Sequence, residues 1–194
     1  FEDEKNVYFA KMKEKAVIPS KEEENAGYDI FACFDEDYIL IEPHKTCLIP
    51  TGIAWACSPS FYLQIEERSS TGSKGIKKSA GVIDSGYRGE IKIAITNSND
   101  RVLVFSNLTE EELKEKYSGK FDDALIYNTK KAIAQGIIHR VERMNIKEIA
   151  LDELLKISSN RGDNGWEAQI NNLFKILKSF KIKNNLKFYK IKVK

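Results

Sequence analysis

Short runs of apolar and β-branched residues recur through the first two thirds of the chain, and turn-forming residues separate them. Several runs alternate apolar and polar side chains with a period of two. This pattern predicts β-strands, because successive side chains of a strand point to opposite faces of a sheet. The predicted strands are residues 16–19, 27–31, 38–41, 46–49, 52–56, 61–66, 89–96, 102–105 and 133–141. Many short strands with regular turn spacing favour an all-β sandwich, barrel or jelly-roll.

Two segments depart from this β pattern. Thr109 is followed three residues later by Glu112, which is the pattern of a capping box at a helix N-terminus. We expect a short helix from there to about Tyr117, ended by Gly119. Residues 146–157 are a second helical candidate, and the Ser-, Asn- and Gly-rich stretch after them indicates a linker.

Composition excludes several classes of protein. The 194 residues suffice for one domain with a sizeable core. No stretch approaches the roughly 18 consecutive apolar residues that a membrane span needs, so no membrane partner is expected. The three cysteines lack CxxC spacing and there are only two histidines, so we expect neither a disulfide framework nor a metal centre of thiolates or histidines. Unpaired cysteines favour a reducing compartment, and we expect a cytoplasmic protein.

Positive charge is concentrated near the C-terminal end. Residues 169–194 contain eight lysines and no acidic residue, so the net charge of +2 divides into +8 there and −6 for residues 1–168. Apolar spacing predicts a helix over 167–178, and Asn184-Asn185 predicts a hairpin turn after it. Lysines on an edge hairpin usually form a solvated face that prevents aggregation. Contact with a nucleic acid or a protein is the alternative.

Three polar clusters could carry chemistry. Residues 68–75 combine two cations, four hydroxyls and two glycines after a predicted strand, which suits phosphate binding. Residues 81–90 set an acid, an aromatic ring and an arginine among glycines, and Asp84 there is a candidate general base. Arg161 and Trp166 lie in a turn-rich segment, where an indole could stack on a planar ligand. Each cluster also has a plain structural interpretation: a solvated turn, an Asp that opens a turn, and a Trp that anchors the tail.

The clusters occur in the order of the five motifs of the trimeric dUTP pyrophosphatases, or dUTPases. The chain resembles this family over residues 16–166, and the match in motif 3 is the most specific. The resembling segments are Ala26-Gly27-Tyr28-Asp29-Ile30 (motif 1), Arg68-Ser69-Ser70 (motif 2), residues 81–90 (motif 3), Ile133-Ala134-Gln135 (motif 4) and residues 161–166 (the start of motif 5).

The resemblance implies a fold and an activity. The expected fold is an all-β, distorted jelly-roll of the β-clip type, to which this chain adds a helical insertion at about 106–123 and a basic C-terminal extension of helix and hairpin. The expected divisions are a β domain at 1–157, a lid at 158–168 and the extension at 169–194. The activity is hydrolysis of dUTP to dUMP and pyrophosphate, with Mg²⁺ on the triphosphate, by a homotrimer whose sites lie at subunit junctions.

The resemblance also implies a role for each motif residue. Asp84 would activate the water that attacks the α-phosphorus, and Tyr87 would pack against the deoxyribose and exclude a 2′-hydroxyl. Asp29 would act on Mg²⁺ through water. The hairpin that reads uracil, largely with main-chain groups, would be residues 77–83, which include Gly81, Val82 and Ile83. The triphosphate would be held by Arg68, Ser69, Ser70, Gln135 and Arg161, with Trp166 covering the uracil.

Two motifs depart from the family pattern. Lys130-Lys131-Ala132 stands where Gly-Asp-Arg usually precedes motif 4, which removes an ion pair. Glu167-Ala168-Gln169-Ile170 stands where Gly-Ser-Thr-Gly usually completes motif 5. An alternative therefore stays open: a dUTPase-like nucleotide-binding regulatory protein with weak turnover, whose insertion or tail contacts a partner. The related dCTP deaminases share the fold, but Tyr87 and the aromatic residue of motif 5 favour a dUTPase.

Overall fold

The computed structural model describes residues 5–158 and 173–179; the first range contains twelve strands and three short helices, and residues 173–179 are helical. The chain divides into two compact units, residues 1–143 and residues 144–194. The strands are β1 (Val7–Lys11), β2 (Tyr28–Ile30), β3 (Tyr38–Ile41), β4 (Thr46–Pro50), β5 (Ile53–Cys57), β6 (Phe61–Glu66), β7 (Ile76–Lys78), β8 (Val82–Ile83), β9 (Lys92–Asn97), β10 (Leu103–Ser106), β11 (Leu125–Asn128) and β12 (Ala134–Arg140). The helices are α1 (Ser69–Gly72), α2 (Glu110–Tyr117) and α3 (Leu151–Leu155). The expected β architecture is confirmed.

The strands form four small sheets in the first unit. Their orders are β1-β5, β11-β10-β3, β2-β12-β6-β8 and β4-β9-β7. Neighbouring strands run antiparallel, except that β10 and β11 run parallel because the chain crosses through α2 between them. The sheet β2-β12-β6-β8 matters most for function, because its strands carry or adjoin the segments of motifs 1 to 4.

Isoleucines dominate the core between these sheets. Each of the six consecutive strands from β2 to β7 contributes one isoleucine that is at most 2% exposed. These residues are Ile30, Ile41, Ile49, Ile53, Ile65 and Ile76. Full burial of such a side chain contributes about 1.5–3 kcal/mol, and the branched side chain also suits an extended backbone. The core therefore holds the sheets together without any disulfide, since all three cysteines are free.

Helix α2 forms as the capping box predicts. The Thr109 hydroxyl accepts a hydrogen bond from the Glu112 N–H (3.2 Å), and the Glu112 carboxylate accepts one from the Thr109 N–H (2.8 Å). Leu113 is fully buried in a second, smaller core cluster with Val104 and Phe121. The helix ends where Ser118 and Gly119 take positive φ, as the sequence predicts. The insertion thus has its own apolar support.

Several local predictions are wrong. Residues 16–19 form no strand, and Ala16 instead packs against Gly52 as a buried core residue. Only Leu151–Leu155 is helical within the predicted helix 146–157. Residues 173–178 of the predicted helix 167–178 are helical, and the predicted hairpin after them lies outside the described residues. Across the described ranges, the helices lack the length and apolar character that a bilayer crossing requires.

Candidate active site

Arg68 begins the short helix α1, directly after β6, and Ser69 and Ser70 form its first turn. The fully buried Thr71 fixes this turn from below. The Thr71 hydroxyl accepts a hydrogen bond from the Arg68 N–H (3.1 Å) and donates one to the Arg68 carbonyl (2.9 Å). Because Thr71 points into the core, the two serine hydroxyls stay exposed and available to a ligand.

Sheet pairing brings motifs 1, 2 and 4 together. Gln135 on β12 lies opposite Asp29 on one side and Glu66 on the other. The Gln135 amide donates to the Glu67 carbonyl (2.8 Å), just before Arg68. The Arg68 Nε lies 3.0 Å from the Asp29 Oδ1, and both side chains are more than one third exposed. We call Asp29, Arg68, Ser69, Ser70 and Gln135 the phosphate cluster.

Gly27 leaves the space that Gln135 occupies. A β-carbon built at Gly27 would lie 2.8 Å from the Gln135 Cβ, closer than real carbon atoms approach. Gly27 is itself buried. The absence of a side chain at the glycine of motif 1 therefore makes room for the glutamine of motif 4, although 108 positions separate them in sequence. No sequence signal on either residue indicates this contact.

Motif 3 lies at the opposite edge of the same sheet. The Gly81 carbonyl accepts a hydrogen bond from the Ile65 N–H (2.7 Å), and Val82 and Ile83 pair with Gln64 and Leu63. A β-carbon on Gly81 would lie 2.8 Å from the Ile65 carbonyl oxygen, so only glycine allows this approach. Val82 is 63% exposed, as expected for an edge strand.

The predicted hairpin over residues 77–83 is wrong as a self-paired hairpin. Its first arm, β7, pairs with β9, whereas its second arm, β8, pairs with β6. Residues 79–81 thus carry the chain from one sheet to another. Because β8 pairs on one side with β6 and ends the sheet, its other backbone edge is open.

Asp84 and Tyr87 follow β8 in a tight turn. The Tyr87 N–H donates to the Asp84 carbonyl (3.0 Å), and the Tyr87 hydroxyl donates to the Glu90 carbonyl (3.0 Å). The Tyr87 side chain is 46% exposed, and Asp84 is exposed as well. Both groups are therefore accessible to a ligand, with Tyr87 held at its hydroxyl end.

Within a single copy of the chain, Asp84 lies far from the phosphate cluster. Glu66 lies opposite Gln135, whereas Leu63 lies opposite Ile83, so Asp84 lies four residues back along β6. Four residues correspond to about 13 Å along the strand, and the three strand spacings from β2 to β8 add about 14 Å across it. Asp84 and Asp29 are thus on the order of 20 Å apart within one sheet.

Sequence reasoning missed Tyr127, which is 3% exposed and lies beside the phosphate cluster. Its hydroxyl donates to the Ala132 carbonyl, just before motif 4, at 2.6 Å. Burial raises the pKa of this hydroxyl, whereas the nearby Arg68 charge and hydrogen bonding from Ser70 and Arg68 lower it. A polar aromatic residue directly after two apolar residues was the only signal in the sequence.

The remaining predictions concern metal ligands and motif 5. Residues 5–158 and 173–179 contain no group of three or more His, Cys, Asp or Glu side chains that could hold a metal ion by themselves. A divalent ion here would need ligands from a phosphate or from water. Arg161 and Trp166 lie outside the described residues.

The family model for dUTPase matches residues 13–107, a segment that ends just before α2 and so excludes motif 4. The chain is similar to the deoxyuridine 5'-triphosphate nucleotidohydrolase of Leptospira interrogans serogroup Icterohaemorrhagiae serovar copenhageni. The two are 35% identical over 105 residues, which cover 52% of this chain and 72% of that protein. The enzyme of the same name from Treponema denticola is 36% identical over 103 residues, covering 51% of this chain and 71% of that protein.

Among solved structures, a mutant of the Staphylococcus bacteriophage 80alpha dUTPase with dUpNHpp superposes with a TM-score of 0.62. The match covers 82% of this chain and 95% of that chain at 19% sequence identity. At this level of identity the likeness shows the fold.

Proposed function

The chain belongs to the dUTPase family, and from this premise we propose that it hydrolyses dUTP to dUMP and pyrophosphate, at sites shared between the copies of a homotrimer. The fold, the phosphate cluster and an accessible Asp84 support this proposal. The biological result would be less uracil in DNA and a supply of dUMP for thymidylate synthesis.

The phosphate cluster suits a nucleoside triphosphate. Such a ligand carries about four negative charges, which cations, hydroxyls and a metal ion must share. Arg68 offers a planar fork that matches phosphate oxygens, and its partner Asp29 holds that fork in place. The exposed hydroxyls of Ser69 and Ser70 add donors beside it.

Mg²⁺ fits this donor set as an ion that arrives with the substrate. Magnesium in proteins is usually held by one or two carboxylates together with phosphate oxygens and water. Asp29 offers a partly exposed carboxylate inside the phosphate cluster, and we propose that it holds the ion through water. When bound, the ion would neutralise phosphate charge and polarise the phosphorus–oxygen bonds.

Motif 3 suits the uridine and the attacking water. We propose that Asp84 accepts a proton from the water that attacks the α-phosphorus, since its carboxylate is exposed and no hydrogen bond or ion pair to a described residue occupies it. The open backbone edge of β8, at Gly81, Val82 and Ile83, can match the acceptor–donor–acceptor edge of uracil. Cytosine would leave such groups unpaired, which is costly. The Tyr87 ring would exclude a 2′-hydroxyl.

The separation between Asp84 and the phosphate cluster is the observation that supports a site shared between copies, and the family resemblance supports three copies. A triphosphate bound at Arg68 cannot present its α-phosphorus to Asp84 of the same copy when the two lie on the order of 20 Å apart across the sheet. A second copy that brings its own motif 3 to the phosphate cluster removes this difficulty. In a closed symmetric ring of copies, each copy contributes motif 3 to one neighbour, so there is one such site per copy.

We also propose roles for the C-terminal part of the chain. We propose that residues 158–168 form a lid in which Arg161 contacts phosphate and Trp166 covers the uracil, between a β domain at 1–157 and an extension at 169–194. The three free cysteines, Cys33, Cys47 and Cys57, favour a cytoplasmic location.

Pyrophosphate release tests the activity directly. The protein with dUTP and Mg²⁺ should release pyrophosphate, and UTP and dCTP should be turned over at least about 100-fold less efficiently because the site would leave polar groups unpaired or meet a 2′-hydroxyl. Binding of dUTP without turnover would instead favour the regulatory alternative. The apolar side of α2 does not support a partner-binding role for the insertion, since it is already buried in its own core cluster.

A further inference from the structure

Arg88 lies inside motif 3, directly after Tyr87, and the proposed function gives it no role. Its side chain folds back over the turn that carries Asp84 and Tyr87. The Arg88 Nη1 lies 2.6 Å from the Ser85 carbonyl oxygen and 3.3 Å from the Tyr87 carbonyl oxygen. The shorter contact is a charge-assisted hydrogen bond, which is the stronger kind in proteins. The guanidinium therefore holds the turn on both sides of Gly86.

The same guanidinium reaches strand β5. The Arg88 Nη1 lies 3.5 Å from the carbonyl oxygen of Trp55, a residue of β5 that is 2% exposed. The chain that follows the turn already runs along this strand, because the Ile91 N–H donates to the Ile53 carbonyl (2.8 Å). Both isoleucines are buried in the core. Arg88 thus connects the tip of the turn to a strand that is anchored in the core.

The tip of the turn has few contacts of its own. The Tyr87 N–H donates to the Asp84 carbonyl and the Tyr87 hydroxyl to the Glu90 carbonyl, and both bonds stay inside motif 3. Nothing lies within 4 Å of a β-carbon built at Gly86, so the tip is open on that side. Asp84 is exposed as well. The direction of its carboxylate therefore depends on the backbone of the turn.

We propose that Arg88 is a positioning residue for the proposed reaction: its guanidinium fixes the turn against β5 and so holds Asp84 and Tyr87 in the geometry that the site requires. The inference rests on the proposed function, which places these two residues in the site. A general base has to lie within hydrogen-bond reach of its water, and a small misplacement of a reacting group is costly in rate. Loss of the guanidinium therefore lowers kcat and weakens the exclusion of a 2′-hydroxyl, whereas phosphate binding at Arg68 is unchanged.

Arg88→Met removes the guanidinium and keeps an unbranched apolar stem. Lys92→Met is the matched control, because Lys92 follows the same turn, is 48% exposed at its side chain and pairs with the Glu90 carboxylate at 3.8 Å. Both variants lose one positive charge close to motif 3, and Arg88→Met also loses the bond to Ser85. Kinetics with dUTP, and calorimetry with dUMP, UMP and Mg²⁺-tripolyphosphate, are measured at a temperature where circular dichroism shows every variant to be folded.

Arg88→Met should lower kcat for dUTP about 5- to 10-fold and narrow the preference for dUMP over UMP by a similar factor, the usual scale for one hydrogen bond from a charged group. Its affinity for Mg²⁺-tripolyphosphate should equal that of the wild type. Lys92→Met should change none of these quantities, since an exposed ion pair contributes little. In an Asp84→Asn background, Arg88→Met should cost less in kcat than alone, because both residues act on the same step.

Wild-type kcat and a wild-type preference for dUMP in folded Arg88→Met would overturn the proposal. A loss of tripolyphosphate affinity with unchanged kcat would also overturn it, since the guanidinium would then bind phosphate. Equal effects of Lys92→Met would overturn it too, because local charge would explain both variants. A wild-type protein that prefers dUMP to UMP but fails to hydrolyse dUTP would instead contradict the proposed function, and the comparison of dUMP with UMP would still test Arg88.

Discussion

Gly27 shows how a single residue can constrain the phosphate cluster. Gly27→Ala would place a β-carbon against Gln135 in a buried position, so the backbone or Gln135 must shift. We expect a loss of about 1–3 kcal/mol in the free energy of unfolding, as for other overpacked sites, together with a higher KM for dUTP.

Gly86→Ala is the control for that change, because nothing lies within 4 Å of a β-carbon at Gly86. Denaturant unfolding should show no loss of stability for this variant. Equal effects of the two substitutions would show that backbone freedom, and not the contact with Gln135, explains Gly27.

Asp84 carries the clearest prediction about chemistry. Asp84→Asn keeps the size of the side chain and removes the proton acceptor, so kcat should fall at least about 100-fold, the lower end of general-base effects. Affinity for a non-hydrolysable dUTP analogue should stay within about twofold, since the carboxylate serves the water. Steady-state kinetics and calorimetry check both, and near-normal kcat would remove Asp84 from its role.

The sequence identifies candidate ligand groups better than the residues that support them. Asp84 stands out as an acid between two glycines, and Arg68 stands out as a cation followed by a run of hydroxyl residues. Thr71 and Tyr127 do not stand out, because their importance lies in hydrogen bonds that their buried hydroxyls make to nearby main-chain groups. Whether these side chains are buried depends on the packing of distant strands, which local pattern does not encode.

Elements with strong local chemistry are the ones that sequence predicts well. The capping box of α2 needs only residues within four positions, and its two bonds form as expected. The apolar pattern did not predict β1, β7, β8 and β11, because they are short or half exposed, with alternation too brief to recognise. Residues 16–19 have strand-like composition but no partner strand, and pairing decides whether a strand forms.

Thr109→Ala tests whether α2 is a structural support. Loss of the N-cap should cost about 1 kcal/mol, or roughly 2–4 °C in Tm for a chain of this size. KM and kcat for dUTP should not change, since the helix lies outside the proposed site. Lys114→Ala, which removes only an exposed ion pair with Glu110, should have a smaller effect on Tm. A Thr109→Ala protein with wild-type Tm would show that the helix adds no stability.

At the scale of the whole molecule, the account depends on sharing of sites between copies. The sheet holds the phosphate cluster and Asp84 at distant places in one copy, as expected if the sites lie at subunit junctions. Apolar side chains such as Met12, Leu48 and Val82 are more than half exposed in one copy, which is consistent with surfaces that another copy covers. Light scattering should give a mass of about three times 22.2 kDa.

Subunit mixing tests this central claim most directly. Asp84→Asn and Arg68→Ala proteins should each be inactive, and co-refolding them in equal amounts should produce mixed trimers. If each site takes Asp84 from one copy and Arg68 from another, both groups are intact in about one quarter of the sites, so about one quarter of wild-type activity should return. Activity that stays at the level of the separate variants, in mixtures shown by mass spectrometry to contain mixed trimers, would contradict the account, because it would place both groups in the same copy.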